Sequence, residues 1–213
     1  MTTEAVIVST ARTAVSKAYR GSLNNTEGPT LAGHVMAEAV KRAGIAPGEV
    51  EDVVMGCAMQ QGTMVMNVAR KGAIRAGMPV TVAGTTIDRQ CASGLQAIAV
   101  AARSVMLDGV DIAIGGGIES ISLVQNEHMN KFHMVDDELM AMKPDMYMSM
   151  LDTAEIVAEP TRSAATNRMN IVWRASVASE LLCRAAGSTM KSFPSPQRWR
   201  SSIRRPSRSP MNR

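Results

Sequence analysis

Aromatic side chains are nearly absent: two Trp, two Tyr and two Phe make up 3% of the 213 residues. Core volume must then come from Ala, Val, Ile, Leu and the 18 Met. No apolar run approaches the ~20 residues a membrane span requires, so a membrane partner is not expected. The N-terminal stretch MTTEAVIVSTART has no basic region leading into an apolar one, so no secretory leader is expected. Cysteine is also scarce. Cys57, Cys91 and Cys183 cannot all pair with one another, and they lack metal-ligand spacing. A disulfide framework and a thiolate metal site are therefore not expected, and a reducing cytoplasm is the expected compartment.

Hydrophobic residues supply 46% of the chain, enough for one sizeable domain or two small ones. The formal net charge of +4 conceals two unlike parts. Residues 1–159 carry 12 Lys and Arg against 18 Asp and Glu, a net −6. Residues 160–213 carry 11 Lys and Arg and one acid, Glu180, a net +10. Both tryptophans and five of the nine prolines lie in this basic part. Such a shift requires an explanation.

The acidic part reads as strands alternating with helices. Ala5 to Val8 is a short apolar run that suits a buried strand. A Gly/Asn-rich loop leads to Pro29-Thr30, where a helix opens. Leu31, Val35, Ala39 and Ala43 form its apolar stripe, and Gly44 ends it. His34 on this helix reads as a surface residue. Val53 to Cys57 is expected as a second strand, with Cys57 a packed and inert thiol. A helix containing Val65, Val68, Gly72 and Ala76 follows, closed by Gly77. Val82 to Asp88 is the third strand. The next helix is apolar on nearly all sides (Leu95, Ile98, Ala102, Val105 and Met106, with Ala97, Val100 and Ala101 opposite), so it belongs inside a protein. Gly109 ends it. Val110 to Ile114 is the fourth strand, stopping at Gly115-Gly116-Gly117. Residues 121–150 form a long polar, Met-rich loop with His128 and His133, whose methionines are expected to pack rather than bind metal. Leu151 to Glu159 begins a helix with Ala154 and Val157 available for burial.

This βαβαβαβ series predicts an α/β fold with a mostly parallel sheet. Sites in such sheets lie beyond the carboxyl ends of strands. Cys91 and the glycines at 115–117 are both at such ends and are expected to meet. Cys91 also stands where a strand gives way to a helix. A helix start has unpaired N–H groups and partial positive charge, which favour a thiolate nucleophile. The alternative is a small packed residue, as free cysteines often are. The strand-end position favours the nucleophile.

Residues 4–159 resemble the N-terminal half of the thiolases, the acetyl-CoA acetyltransferases and 3-ketoacyl-CoA thiolases. The matching motifs, in order and at family spacing, are VIVSTARTAVSKAYRGSL, DRQCASGLQAI and GGGIESIS. Asp88 stands where many members have Asn, and the run Met150-Leu151-Asp152-Thr153-Ala154-Glu155 lacks the family's glycine. The resemblance implies a thiolase α/β domain over 1–120, with a buried central helix after Cys91, and the start of the loop domain over 121–159. It implies that Cys91 takes an acyl group from 3-ketoacyl-CoA and passes it to CoA, or runs the reverse condensation of two acetyl-CoA. It implies coenzyme A as substrate with no separate cofactor, Met150 as a substrate-binding position, and a homodimer or homotetramer. The family also uses a histidine in a G-H-P motif and a second cysteine in a C-x-G motif. Neither motif is in this chain: Cys183 is followed by Arg184-Ala185, and His34, His128 and His133 lie in other settings. The chain is therefore expected to be inactive by itself. A decarboxylating ketoacyl synthase shares the fold class but is disfavoured by the same motifs. A non-catalytic partner of an intact thiolase subunit is a further alternative.

The irregular, basic part over 160–213 departs from the family. Its codons, however, read one nucleotide earlier, permit family-like sequence. Met169 to Ala178 permits D-E-Y-S-L-E-S-Q-R-R, and TMKSFPSPQRWRSSI permits D-N-E-V-V-P-I-T-T-T-M-A-V-I. Two such matches in one frame point to a lost nucleotide, or two gained, near the codons for Ala158 to Pro160. A basic tail that binds nucleic acid is the competing reading. Resequencing across those codons is expected to restore the family frame; an intact frame ending in this tail sinks the idea.

Overall fold

The computed structural model describes residues 4–159 and Arg174. The expectations for the rest of 160–213, Cys183 included, lie outside the described residues. Two compact units divide between Met134 and Val135.

The first unit begins its regular structure at α1, Gly28–Ala43. Pro29 is tolerated in the first turn because the N–H it lacks has no helical partner there. Lys41 and Arg42 suit the negative end, and Gly44, at φ 71°, closes the helix in the left-handed region. The buried stripe is Ala32, Met36 and Val40, with Gly28 and Gly33. This is one residue along from the expected stripe, whose members are only half-buried. The reason lies in the partner, α2, Val68–Arg75. A Cβ at Gly33 would sit 2.8 Å from Arg75 Cγ, so the glycine face is the one that allows close approach.

Three strands follow: β1 Asp52–Gly56, β2 Ala83–Ile87 and β3 Ala113–Gly117. They form a wholly parallel sheet in the order β2-β1-β3. The connection from β2 to β3 contains α3, Ser93–Leu107. Successive side chains of a strand point to opposite faces, and β1 shows the consequence. Val53 and Met55 join Ala32, Met36, Ala69 and Ala73 in the core under α1 and α2. Val54 joins Ala97 and Ala101 of α3 on the other face. The parallel α/β architecture is thus the expected one, with a helix pair, a sheet and a third helix as its layers.

Several elements differ from their expected form. The apolar run Ala5 to Val8 is not a strand, and Val6, Ile7 and Val8 are exposed. Both sides of β1 are taken by β2 and β3. The segment after the run is held instead on α1, where the Ser9 hydroxyl donates to the Ala39 carbonyl and Arg42 to the Thr10 carbonyl, each at 2.8 Å. The helix expected to be buried, α3, buries only one face. Ser93, Ala97 and Ala101 are buried, whereas Leu95 and Leu107 are 74% and 77% exposed. Among the described residues a single sheet face meets α3, so one stripe of it is covered. Cys57 lies one residue past β1 rather than inside it.

The fourth expected strand is shifted toward the chain's C-terminus, and the glycines are part of it. They are there because α3 approaches the sheet at backbone distance. A Cβ on Gly56 would lie 2.1 Å from the Ser93 carbonyl carbon, and one on Gly117 2.8 Å from Gly94 Cα. In α3 the facing residues are correspondingly small.

Residues 121–150 contain α4 Ile121–Val124, α5 Asp137–Met142 and a 3-10 turn Pro144–Tyr147, where no element was expected. The second unit continues with α6, Met150–Ala158, which starts at the Ser149 N-cap. Val157 and Ala154, expected to be buried, are exposed, as are Met134, Met142 and Met146. The packing expected of the methionines in 121–150 is only partial: Met129, Met140 and Met148 are half-buried, and none of the described residues after Met134 is fully buried. Gly56→Ala is expected to lower stability by about 1–3 kcal/mol, as overpacking does, measured as a reduced urea midpoint. An unchanged midpoint would mean that α3 is not seated on β1.

Candidate active site

The three strands end on one rim. The Cys57 N–H donates to the Ile87 carbonyl and the Ile118 N–H to the Gly56 carbonyl, both at 2.9 Å. These bonds tie the exits of β1, β2 and β3 together. The chain leaving β2 crosses this rim as Asp88-Arg89-Gln90-Cys91-Ala92 before α3 begins at Ser93. Cys91 is exposed on this crossing. It follows Gln90, whose φ of 47° is in the left-handed region, a conformation that costs a non-glycine residue about 1–3 kcal/mol.

Local hydrogen bonds hold that conformation. The Asp88 carboxylate accepts from the Gln90 N–H at 2.7 Å. The Arg89 carbonyl accepts from the Ala92 N–H at 3.0 Å, and the Gln90 carbonyl from the Ser93 N–H at 3.1 Å. The buried Ser93 hydroxyl accepts from the Arg89 N–H at 2.8 Å and donates to the Gln90 carbonyl at 2.6 Å. Arg89 lies along the first turn of α3, its guanidinium 2.6 Å from the Gln96 side-chain oxygen. Of the β3 glycines only Gly117 packs on the start of α3, at Gly94, three residues beyond Cys91, whereas Gly115 packs on Ile98 and Gly116 on Met55.

Cys57 sits on the same rim under different conditions. It is buried with Met64, Val68 and Val124. Its thiol lies 3.8 Å from the Glu119 carboxylate, which also accepts from the Ala58 and Met59 N–H groups at 2.9 and 3.3 Å. Burial, reinforced by the Glu119 charge, pushes the Cys57 thiol up to about 12. A thiol so placed stays protonated, in keeping with the inert role expected of it. The folded chain therefore retains a proton that an unfolded thiol gives up. The associated stability is full below the ordinary thiol range and is lost as pH rises through about 12.

The other expected positions are not part of the Cys91 turn. His34 is exposed on α1. His128 lies 3.5 Å from Glu127, and His133 stacks edge-on against Phe132. Met150 opens α6 in the second unit and is 71% exposed. Sequence reasoning missed Ser93 and Glu119. Ser93 carried a usable signal, a hydroxyl residue where a helix starts. Glu119 lies within the GGGIESIS motif, but its partners lie about 60 residues earlier in the chain, so local pattern did not show what it holds.

The chain is an α/β domain that displays one thiol on a tight turn at the carboxyl rim of a parallel sheet and buries another on the same rim. Residues 5–174 match the family profile described as thiolase, N-terminal domain, and the chain belongs to that family. It is similar to a 3-ketoacyl-CoA thiolase of Bacillus subtilis (strain 168), 43% identical over 157 residues, which are 73% of this chain and 39% of that one. It is also similar to an acetyl-CoA acetyltransferase of Cupriavidus necator, 42% identical over 120 residues, 56% of this chain and 30% of that one. Among solved structures it is similar to the Bacillus anthracis acetyl-CoA acetyltransferase, with a TM-score of 0.70 and 31% identity over 87% of this chain and 49% of that one. The chain spans about two fifths or less of the length of these two curated relatives.

With iodoacetamide at about pH 8, near a free thiol's pKa of about 8.5, Cys91 is expected to be alkylated and Cys57 to stay protected until urea unfolds the chain. Peptide mass spectrometry reads both sites, and equal labelling in the folded state would overturn the assignment.

Proposed function

We propose that Cys91 is the acyl-accepting nucleophile of thiolase chemistry. The observation that supports this is its exposure on the turn between β2 and α3, at the strand ends, in a chain of the thiolase family. The Cys91 thiolate attacks the keto carbonyl of a 3-ketoacyl-CoA. The bond between the α and β carbons breaks, its electron pair passes to the acetyl-CoA fragment, and a proton there releases acetyl-CoA. The acyl group remains on Cys91 as a thioester. The thiol of a second CoA attacks it, loses its proton and leaves as acyl-CoA. Two molecules of acetyl-CoA run the same steps in reverse. A thioester suits this role because it is nearly isoenergetic with the one it replaces.

The proton transfers need further groups. The G-H-P and C-x-G motifs that supply them in the resemblance are absent from the sequence. The chain by itself therefore holds the nucleophile without its acid–base partners. Coenzyme A acts as substrate and no separate cofactor is required. Met150 belongs to the substrate-binding side of this reading, which places the protein in the cytoplasm as a homodimer or homotetramer.

Incubation of the purified chain with acetyl-CoA is expected to add one acetyl group at Cys91, detected by peptide mass spectrometry and abolished in Cys91→Ser. Thiolytic cleavage of acetoacetyl-CoA is expected to be absent. Acetylation that persists in Cys91→Ser would sink the nucleophile assignment, and robust turnover would sink the claim that the chain lacks its acid–base partners.

A further inference from the structure

We infer that Asp88 and Ser93 act together as positioning residues that hold Cys91 clear of α3. The inference rests on the reading of Cys91 as the nucleophile, but its geometry is independent of acyl transfer. Between β2 and α3 the chain bends at Gln90, at φ 47°. In the ordinary negative-φ region the same residues would continue α3 backward, because nothing from Arg89 to Ala92 is a proline. Cys91 would then be a residue of the first turn of α3 rather than of the turn that precedes the helix.

Two side chains oppose that outcome. The Asp88 carboxylate takes the Gln90 N–H at 2.7 Å, the Asx-turn pattern that competes with helix. The Ser93 hydroxyl takes the Arg89 N–H at 2.8 Å and gives its proton to the Gln90 carbonyl at 2.6 Å. The two oxygens lie 3.4 Å apart, so they close one network around the bend. Ser93 cannot drift, since it is 4% exposed and its backbone rests on Gly56 of β1. The bend is thereby anchored to the centre of the sheet. Neither side chain bonds to the Cys91 side chain; each fixes the backbone on either side of it.

The test is the rate of Cys91 alkylation by iodoacetamide in the full chain, read by peptide mass spectrometry beside the circular dichroism melt. Asp88→Ala removes the acceptor, whereas Asp88→Asn keeps an oxygen in its place. Asp88→Ala and Ser93→Ala are expected to slow Cys91 alkylation about fivefold or more, with Asp88→Asn within about twofold of the parent. Asp88 is exposed, so its variants remain folded and informative if Ser93→Ala does not. Equal rates in Asp88→Ala and the parent, or equal losses in Asp88→Ala and Asp88→Asn, would overturn the inference. Because alkylation needs no CoA substrate, a failure here is distinct from a failure of Cys91 to accept an acetyl group.

Discussion

The approach of α3 to the sheet at backbone distance is the constraint on which the rest of the first unit depends. Ser93 lies on Gly56 and Gly94 on Gly117, with no side chain between them. An approach this close fixes both partners. The strands need glycine where they pass under the helix, and the helix needs Ser, Gly and Ala where it meets them. The contact also sets where α3 begins, and so where the turn from β2 must deliver the chain. The left-handed bend at Gln90 is the local consequence of joining two elements whose ends are already fixed.

The same geometry separates two cysteines that share one rim. Cys57 follows the central strand and lies in a cluster of Met64, Val68 and Val124, beside the Glu119 carboxylate. Both effects favour the neutral thiol. Cys91 lies on the turn that follows an outer strand and is exposed. The chemical difference comes from burial and neighbouring charge rather than from the residue.

Much of this was legible in the sequence because it depends on local pattern. Alternating apolar runs and amphipathic stretches gave three of the strands and the three main helices, and Gly44 and Gly77 marked two helix ends. The three thiolase-like motifs located Cys91 and led to the family to which the chain belongs. The failures share a cause. Ala5 to Val8 has the composition of a buried strand, but composition does not say whether a neighbouring strand has an open edge. The all-apolar helix has the composition of an interior element, but among the described residues only one of its faces is covered. The glycines at 115–117 looked like the end of a strand, because a glycine that relieves a contact with another element looks the same as one that makes a turn.

The sequence by itself determined the alternation of three strands with the three main helices and the parallel α/β class, which follow from spacing along the chain, and its thiolase-like motif singled out Cys91. Tertiary structure alone decided the rest. It chose the stripe of α1 that faces α2, drew the glycines into β3, and kept Cys57 protonated through burial, reinforced by a carboxylate 62 residues away. It also recruited Ser93 to the turn that carries Cys91. These outcomes depend on distances between groups remote in sequence or on the burial that packing imposes, and neither quantity is encoded in a local pattern of residue types.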